Sequence, residues 1–112
     1  MRVFILAVLL GLVGCDEGNM SQGALLGAHK LYNQGKYNEA ISKVFRARSK
    51  YRYEHTELAE LQYIMAQSHL KLRQYSKAKL IYSMIVNDYP NTLYADLSKT
   101  VLDEIATKEL GL

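Results

Sequence analysis

The chain is poor in the residues that cross-link or interrupt a fold. Its 112 residues include one cysteine, one proline and no tryptophan. A lone cysteine excludes an intrachain disulfide, so stability has to come from packed side chains. A single proline, Pro90, leaves long stretches free of the residue that most strongly breaks helices. Charge of one sign is also scarce: 14 basic against 11 acidic residues give +3, too small a bias to point to a partner class. No segment alternates apolar and polar residues as a half-buried strand would. Catalytic constellations are missing too. His29, His55 and His69 do not stand at i, i+4, and no His-Glu-x-x-His, cysteine pair or nucleophile elbow occurs. The seven glycines never gather into a phosphate-cradling loop. Glu57 and Glu60 share a helix face near His55, an arrangement that reads as a solvated helix start complementing the dipole. Neither an enzyme nor a bound cofactor or metal is expected.

What the chain does have begins at its N-terminus. Residues 1–14 carry one positive charge, Arg2, and an apolar run over 3–13 broken only by Gly11. That run is shorter than the ~20 residues a bilayer span requires. Charge, apolar core and small residue follow in the order of a signal peptide. The run closes on Leu12-Val13-Gly14-Cys15, which resembles a bacterial lipobox and implies that Cys15 receives the lipid. Cleavage before Cys15 would leave one small domain facing the periplasm, lipid-anchored in the bacterial envelope, with 13 basic against 11 acidic residues. Residues 15–22 read as the lipidated cysteine and a flexible tether, and 23–110 as the folded part. Asp16 directly after the cysteine resembles the inner-membrane retention signal of enteric lipoproteins, with the outer membrane as the alternative.

Beyond the tether every long segment has helical spacing. Leu25, Ala28, Leu31 and Tyr32 mark one face. Ala40, Ile41, Val44, Phe45 and Ala47 mark a second, and Leu58, Leu61, Met65, Ser68 and Leu72 a third. Ala78, Ile81, Tyr82 and Ile85 follow, then Leu97, Val101, Leu102 and Ile105. Short polar breaks separate them, which makes neighbouring helices antiparallel. Nine tyrosines supply the aromatic packing.

The helices repeat. Gly35-Lys36-Tyr37-Asn38-Glu39-Ala40 aligns with Arg73-Gln74-Tyr75-Ser76-Lys77-Ala78, and each alanine is followed four residues on by a bulky side chain, Val44 or Tyr82. This resembles the tetratricopeptide repeat, in which helix pairs recur at roughly 34 residues. Small residues at 28, 40, 47, 66 and 78 would let helix axes approach closely, and Tyr37 and Tyr75 would pack under the turns. The stretch from Ile81 through Tyr89-Pro90-Asn91-Thr92 to Tyr94-Ala95 is similar to the bacterial envelope branch of these repeats, including an outer-membrane-assembly lipoprotein and a periplasmic division coordinator. Thr92 or Asn91 would cap the last helix. The expected fold is all-α: two antiparallel helix pairs of this type and a C-terminal capping helix, with Leu97, Val101 and Ile105 facing inward.

That resemblance implies a groove lined by the first helix of each pair. From the first pair it would use Leu25, His29, Tyr32 and Asn33; from the second, Glu60, Tyr63, Gln67, Leu70 and Lys71. Such mixed side chains suit a protein or peptide segment of an envelope complex. The expected function is a scaffold or adaptor; the alternative is an assembly or piloting factor that escorts one membrane client, such as a pore subunit. Leu25 and Leu26 have no partner visible in the sequence, so dimerisation or stabilisation by the client is expected. The segment from Lys43 to Tyr53 interleaves basic and aromatic residues. Behind a signal peptide this reads first as a solvated helix face, and otherwise as a site for anionic lipid, an acidic protein surface or an anionic polymer; a nucleic-acid partner is not expected.

Overall fold

A computed structural model describes residues 20–111. The expected signal peptide, Cys15 and Asp16 lie outside the described residues. Within them the chain is all-α: helix α1 over 20–33, then α2 (Tyr37–Lys50), α3 (His55–Lys71), α4 (Tyr75–Asp88) and α5 (Leu93–Glu109). Residues 20–22, expected in the tether, already belong to α1. Two side-chain bonds hold that end in place: Tyr53 Oη donates to the Ser21 carbonyl at 2.8 Å, and Gln22 Nε2 donates to Glu57 Oε2 at 2.5 Å.

Consecutive helices pack as antiparallel neighbours. Residues 20–24 of α1 lie beside Ala47, Lys50 and Tyr51 at the end of α2, and Lys79 of α4 reaches Glu109 of α5 at 2.7 Å. Helix α3 is central, in contact with α2, α4 and α5, whereas α2 and α4 do not touch. Gln22–Glu57 and His29–Glu60 join α1 to α3, and Tyr63 of α3 meets Tyr94 of α5. One layer therefore holds α1, α3 and α5 in parallel, and the other holds α2 and α4.

The repeat is written into the backbone. At the end of α1, Gly35 N–H bonds the Tyr32 carbonyl and Lys36 N–H bonds the Leu31 carbonyl. At the end of α3, Arg73 bonds Leu70 and Gln74 bonds His69 in the same pattern. Both are Schellman closures, which need a left-handed residue just past the helix. Gly35 has φ 77° and Arg73 φ 60°; Lys36 and Gln74 then match at φ −89°, ψ 67° and φ −92°, ψ 68°. Gly111, as far beyond Arg73 as Arg73 is beyond Gly35, has φ 74° and bonds the Lys108 carbonyl. Helix α5 thus shares with α1 and α3 the left-handed residue and the inner bond of the closure, and has their place in a third unit. The fold is helical-repeat-like.

Small side chains set the spacing. Ala28, Ala40, Ala59, Ala66, Ala78 and Ala95 have no exposed surface, which puts the axes at the close end of the usual 8–10 Å. Val44, Leu61, Tyr82 and Ile85 fill the space between them. Thr92 caps α5, its Oγ1 accepting from Ala95 N–H at 3.2 Å. Glu54 and Glu57 form a reciprocal capping box at the start of α3.

Four expectations need correction. Phe45 is 57% exposed because it lies outside the Ala40–Val44–Ala47 stripe that faces the core. Leu97 is 38% exposed; its counterpart on α3 is the buried Ala59, but among the described residues no helix packs on that side of α5. The inward stripe of α5 is instead Ala95, Ser98 and Ile105, with Val101 and Leu102 half-buried. Tyr75, unlike the half-buried Tyr37, is exposed. Leu25 is buried in the core at 6% exposure, leaving only Leu26 outward.

Candidate functional site

The layer of α1, α3 and α5 presents a polar and aromatic face built from all three helices. His29 Nε2 on α1 stands 2.5 Å from Glu60 Oε2 on α3. Near it on α5 stands the Tyr94 hydroxyl, whose pKa is raised first by burial and further by the Glu60 carboxylate. One carboxylate therefore bonds α1 to α3 and acts electrostatically on a phenol of α5. It is partly shielded, with 21% of its side chain exposed.

Tyrosines continue the face. The Tyr63 ring packs at 5.6 Å from Tyr94 and edge-on at 5.8 Å from Tyr82 of α4, while Tyr32 packs edge-on against Tyr37 at 5.4 Å. Such tilted contacts suit the aromatic quadrupole. The Tyr82 hydroxyl donates to Gln67 Oε1. Burial raises the hydroxyl pKa of Tyr32, Tyr63, Tyr82 and Tyr94 above the usual 10, most strongly for Tyr82, and a neighbouring tyrosine adds to the rise at each of the four. At Tyr63 and Tyr82 the Glu104 carboxylate adds a further upward push, as Glu60 does at Tyr94. These phenols are neutral hydrogen-bond donors throughout the physiological range.

Further along the same layer a cleft of about 460 Å³ opens between the end of α3 and the end of α5. Leu70, Val101 and Ile105 supply apolar wall, with Lys71, Glu104 and Lys108 around it. Of the nine residues expected to line a groove, His29, Tyr32, Glu60, Tyr63, Gln67 and Leu70 are half-buried on or beside this face. Asn33 and Lys71 are exposed, at the ends of α1 and α3. Leu25 does not line it, because its side chain is spent on the core.

Sequence reasoning missed Tyr94, Tyr82 and Glu104. Tyr94 follows Tyr63 and Tyr32 at a constant interval of 31 residues, the same interval that separates His29 from Glu60. That spacing was a signal for a facing position on α5. The chemistry on offer is recognition: amide, carboxylate, imidazole and phenol groups beside apolar wall. Among the described residues no group of three or more His, Cys, Asp or Glu could hold a metal ion. No described helix is long and apolar enough to cross a membrane. Compared with known protein families, with curated proteins and with solved structures, the chain matches none. The fold and this face define an all-α helical-repeat-like domain with a tyrosine-rich surface on one layer.

Proposed function

We propose that this chain is a lipid-anchored, extracytoplasmic adaptor of tetratricopeptide type that binds a protein or peptide segment of a cell-envelope complex. The observation that carries the reading is the face shared by α1, α3 and α5, where Glu60 bonds His29 and stands near Tyr94, and which continues to the cleft at Leu70. A segment of mixed polarity lying across the three helices would meet phenol and amide groups first and apolar wall at the cleft. Large, stiff aromatic side chains give contact area at low entropic cost, which is why tyrosine is favoured at such surfaces. The anchor rests on the sequence preceding Cys15, and the inner membrane on Asp16.

Two measurements test this. Mass spectrometry of the mature protein should find an acylated N-terminal Cys15; an unmodified chain starting at Met1 would contradict the anchor. Capture from detergent-solubilised envelopes should recover a partner with the natural chain and lose it with Asn33→Ala/Lys71→Glu. Both positions are exposed, so melting should not change. Equal recovery by both chains would overturn the choice of face.

A further inference from the structure

Helix α2 carries a second surface that the adaptor reading leaves unused. Lys43, Arg46 and Lys50 stand at i, i+3 and i+7 and so share one face. With Met20, Gly23 and Tyr51 they line a cleft of about 330 Å³ at the start of α1. None of the three is in an ion pair among the described residues. Glu39, in the first turn of α2, is the acid on this face: it lines a neighbouring cleft with Lys43 and Arg46 and lies away from Lys50. Lys43 lays its stem along α1, its Cε within 3.0 Å of where a Cβ on Gly27 would stand. Lys50 Nζ sits 5.5 Å over the Tyr51 ring, which packs edge-on against Tyr53. Beside these cations half-exposed Met20 lines the same cleft from the start of α1, whereas exposed Phe45 leaves α2 on a different face.

The position of this face relative to Cys15 gives it a neighbour. Met20 is the fifth residue after Cys15, and a fully extended chain of that length reaches at most about 18 Å. A lipid on Cys15 therefore holds the start of α1, and with it the last turns of α2, within two helix diameters of the headgroups. We propose that Lys43, Arg46 and Lys50 bind the anionic phospholipid headgroups of the membrane that holds the anchor, with Met20 entering the interfacial layer. The inference rests on the lipid-anchor reading for where the membrane lies. Cations outside ion pairs beside an exposed apolar side chain are what such a surface attracts: each Lys or Arg near an anionic leaflet shifts the contact population by about fivefold. Docking this end would fix the domain upright and turn the tyrosine-rich layer to a constant orientation for its partner.

The chain has no tryptophan, so Met20→Trp introduces a single fluorophore on the face, and Leu110→Trp one at the opposite end of the layer, where Leu110 is exposed. The lipidated full-length variants are reconstituted into vesicles of phosphatidylcholine, with and without phosphatidylglycerol, containing a headgroup-proximal spin-labelled lipid. Indole fluorescence of Met20→Trp should be quenched in phosphatidylglycerol vesicles, and that of Leu110→Trp should not. Adding Lys43→Gln/Arg46→Gln/Lys50→Gln should lower the contact population by about a hundredfold, three cations at fivefold each, and ~0.5 M salt should act in the same direction. Flotation with the vesicles without quenching of the Met20→Trp variant, or quenching indifferent to lipid charge, overturns the proposal and leaves the anchor intact. Shielding of that indole from an aqueous quencher without lipid contact assigns the face to protein and also overturns it. Failure to float at all overturns the anchor and this proposal together.

Discussion

Arg73 occupies a backbone conformation that its own chain gives to glycine twice. Gly35 and Gly111, its counterparts in the units on either side, have φ 77° and 74°, against 60° for Arg73. A residue with a Cβ in the left-handed region carries a penalty of roughly 1–2 kcal/mol. Replacing Arg73 by Gly removes that penalty but returns roughly 0.5–1 kcal/mol through the freer unfolded chain. Arg73→Gly should therefore stabilise the domain by about 0.5–1 kcal/mol. The mirror substitution, Gly35→Ala, should destabilise it by about the same amount. Its cost comes from the backbone alone, because a Cβ at Gly35 meets no atom within 4 Å. For a domain of this size about 1 kcal/mol shifts Tm by about 4–8 °C, so thermal melts by circular dichroism resolve both changes. A lower Tm for Arg73→Gly, or no loss for Gly35→Ala, would refute the equivalence of the two turns.

Other outcomes follow from packing and burial. Ala40→Leu or Ala78→Leu should each cost about 1–3 kcal/mol by overpacking a close helix pair, while Lys36→Ala at an exposed position should leave denaturant midpoints unchanged. Ser98 Oγ is buried without a hydrogen-bond partner among the described residues; Ser98→Ala should be neutral or raise stability by about 1 kcal/mol, and a loss above that would mean the hydroxyl is satisfied. Burial raises the pKa of Tyr32, Tyr53, Tyr63, Tyr82 and Tyr94, so the folded state binds these protons more tightly than the unfolded chain does. Their contribution is complete below about pH 10, the unfolded value, and is lost as pH rises through the folded values; stability flat from about pH 9 to 12 would contradict their burial.

Helix number and the turn positions were legible because apolar spacing marks a helix wherever a neighbour buries it. Ala78, Ile81, Tyr82 and Ile85 were read from spacing alone and all four are buried. The same spacing cannot tell the centre of a buried stripe from its flank, which is why Phe45 and Leu97 were placed inward. Arg73 hid its left-handed turn because only the pattern of its neighbours, and no glycine, announces it. Leu25 was marked by its spacing with Ala28, Leu31 and Tyr32, and it is buried with Ala28 in the core. That stripe does not say which neighbour covers it, so Leu25 was also placed in the groove. His29 and Glu60 are 31 residues apart, and their bond depends on how α1 and α3 are rotated against each other. No single-helix pattern encodes that rotation, so the face could be listed residue by residue but its bonding could not.

The most direct test of the adaptor reading is photo-crosslinking in living cells. A benzoylphenylalanine placed at Asn33 or Lys71, on the layer of α1, α3 and α5, should capture one envelope protein. The same group at Leu80, exposed on α4 in the other layer, should capture little or none of it. Strong capture from Leu80 and none from positions 33 and 71 would contradict the assignment of the binding face.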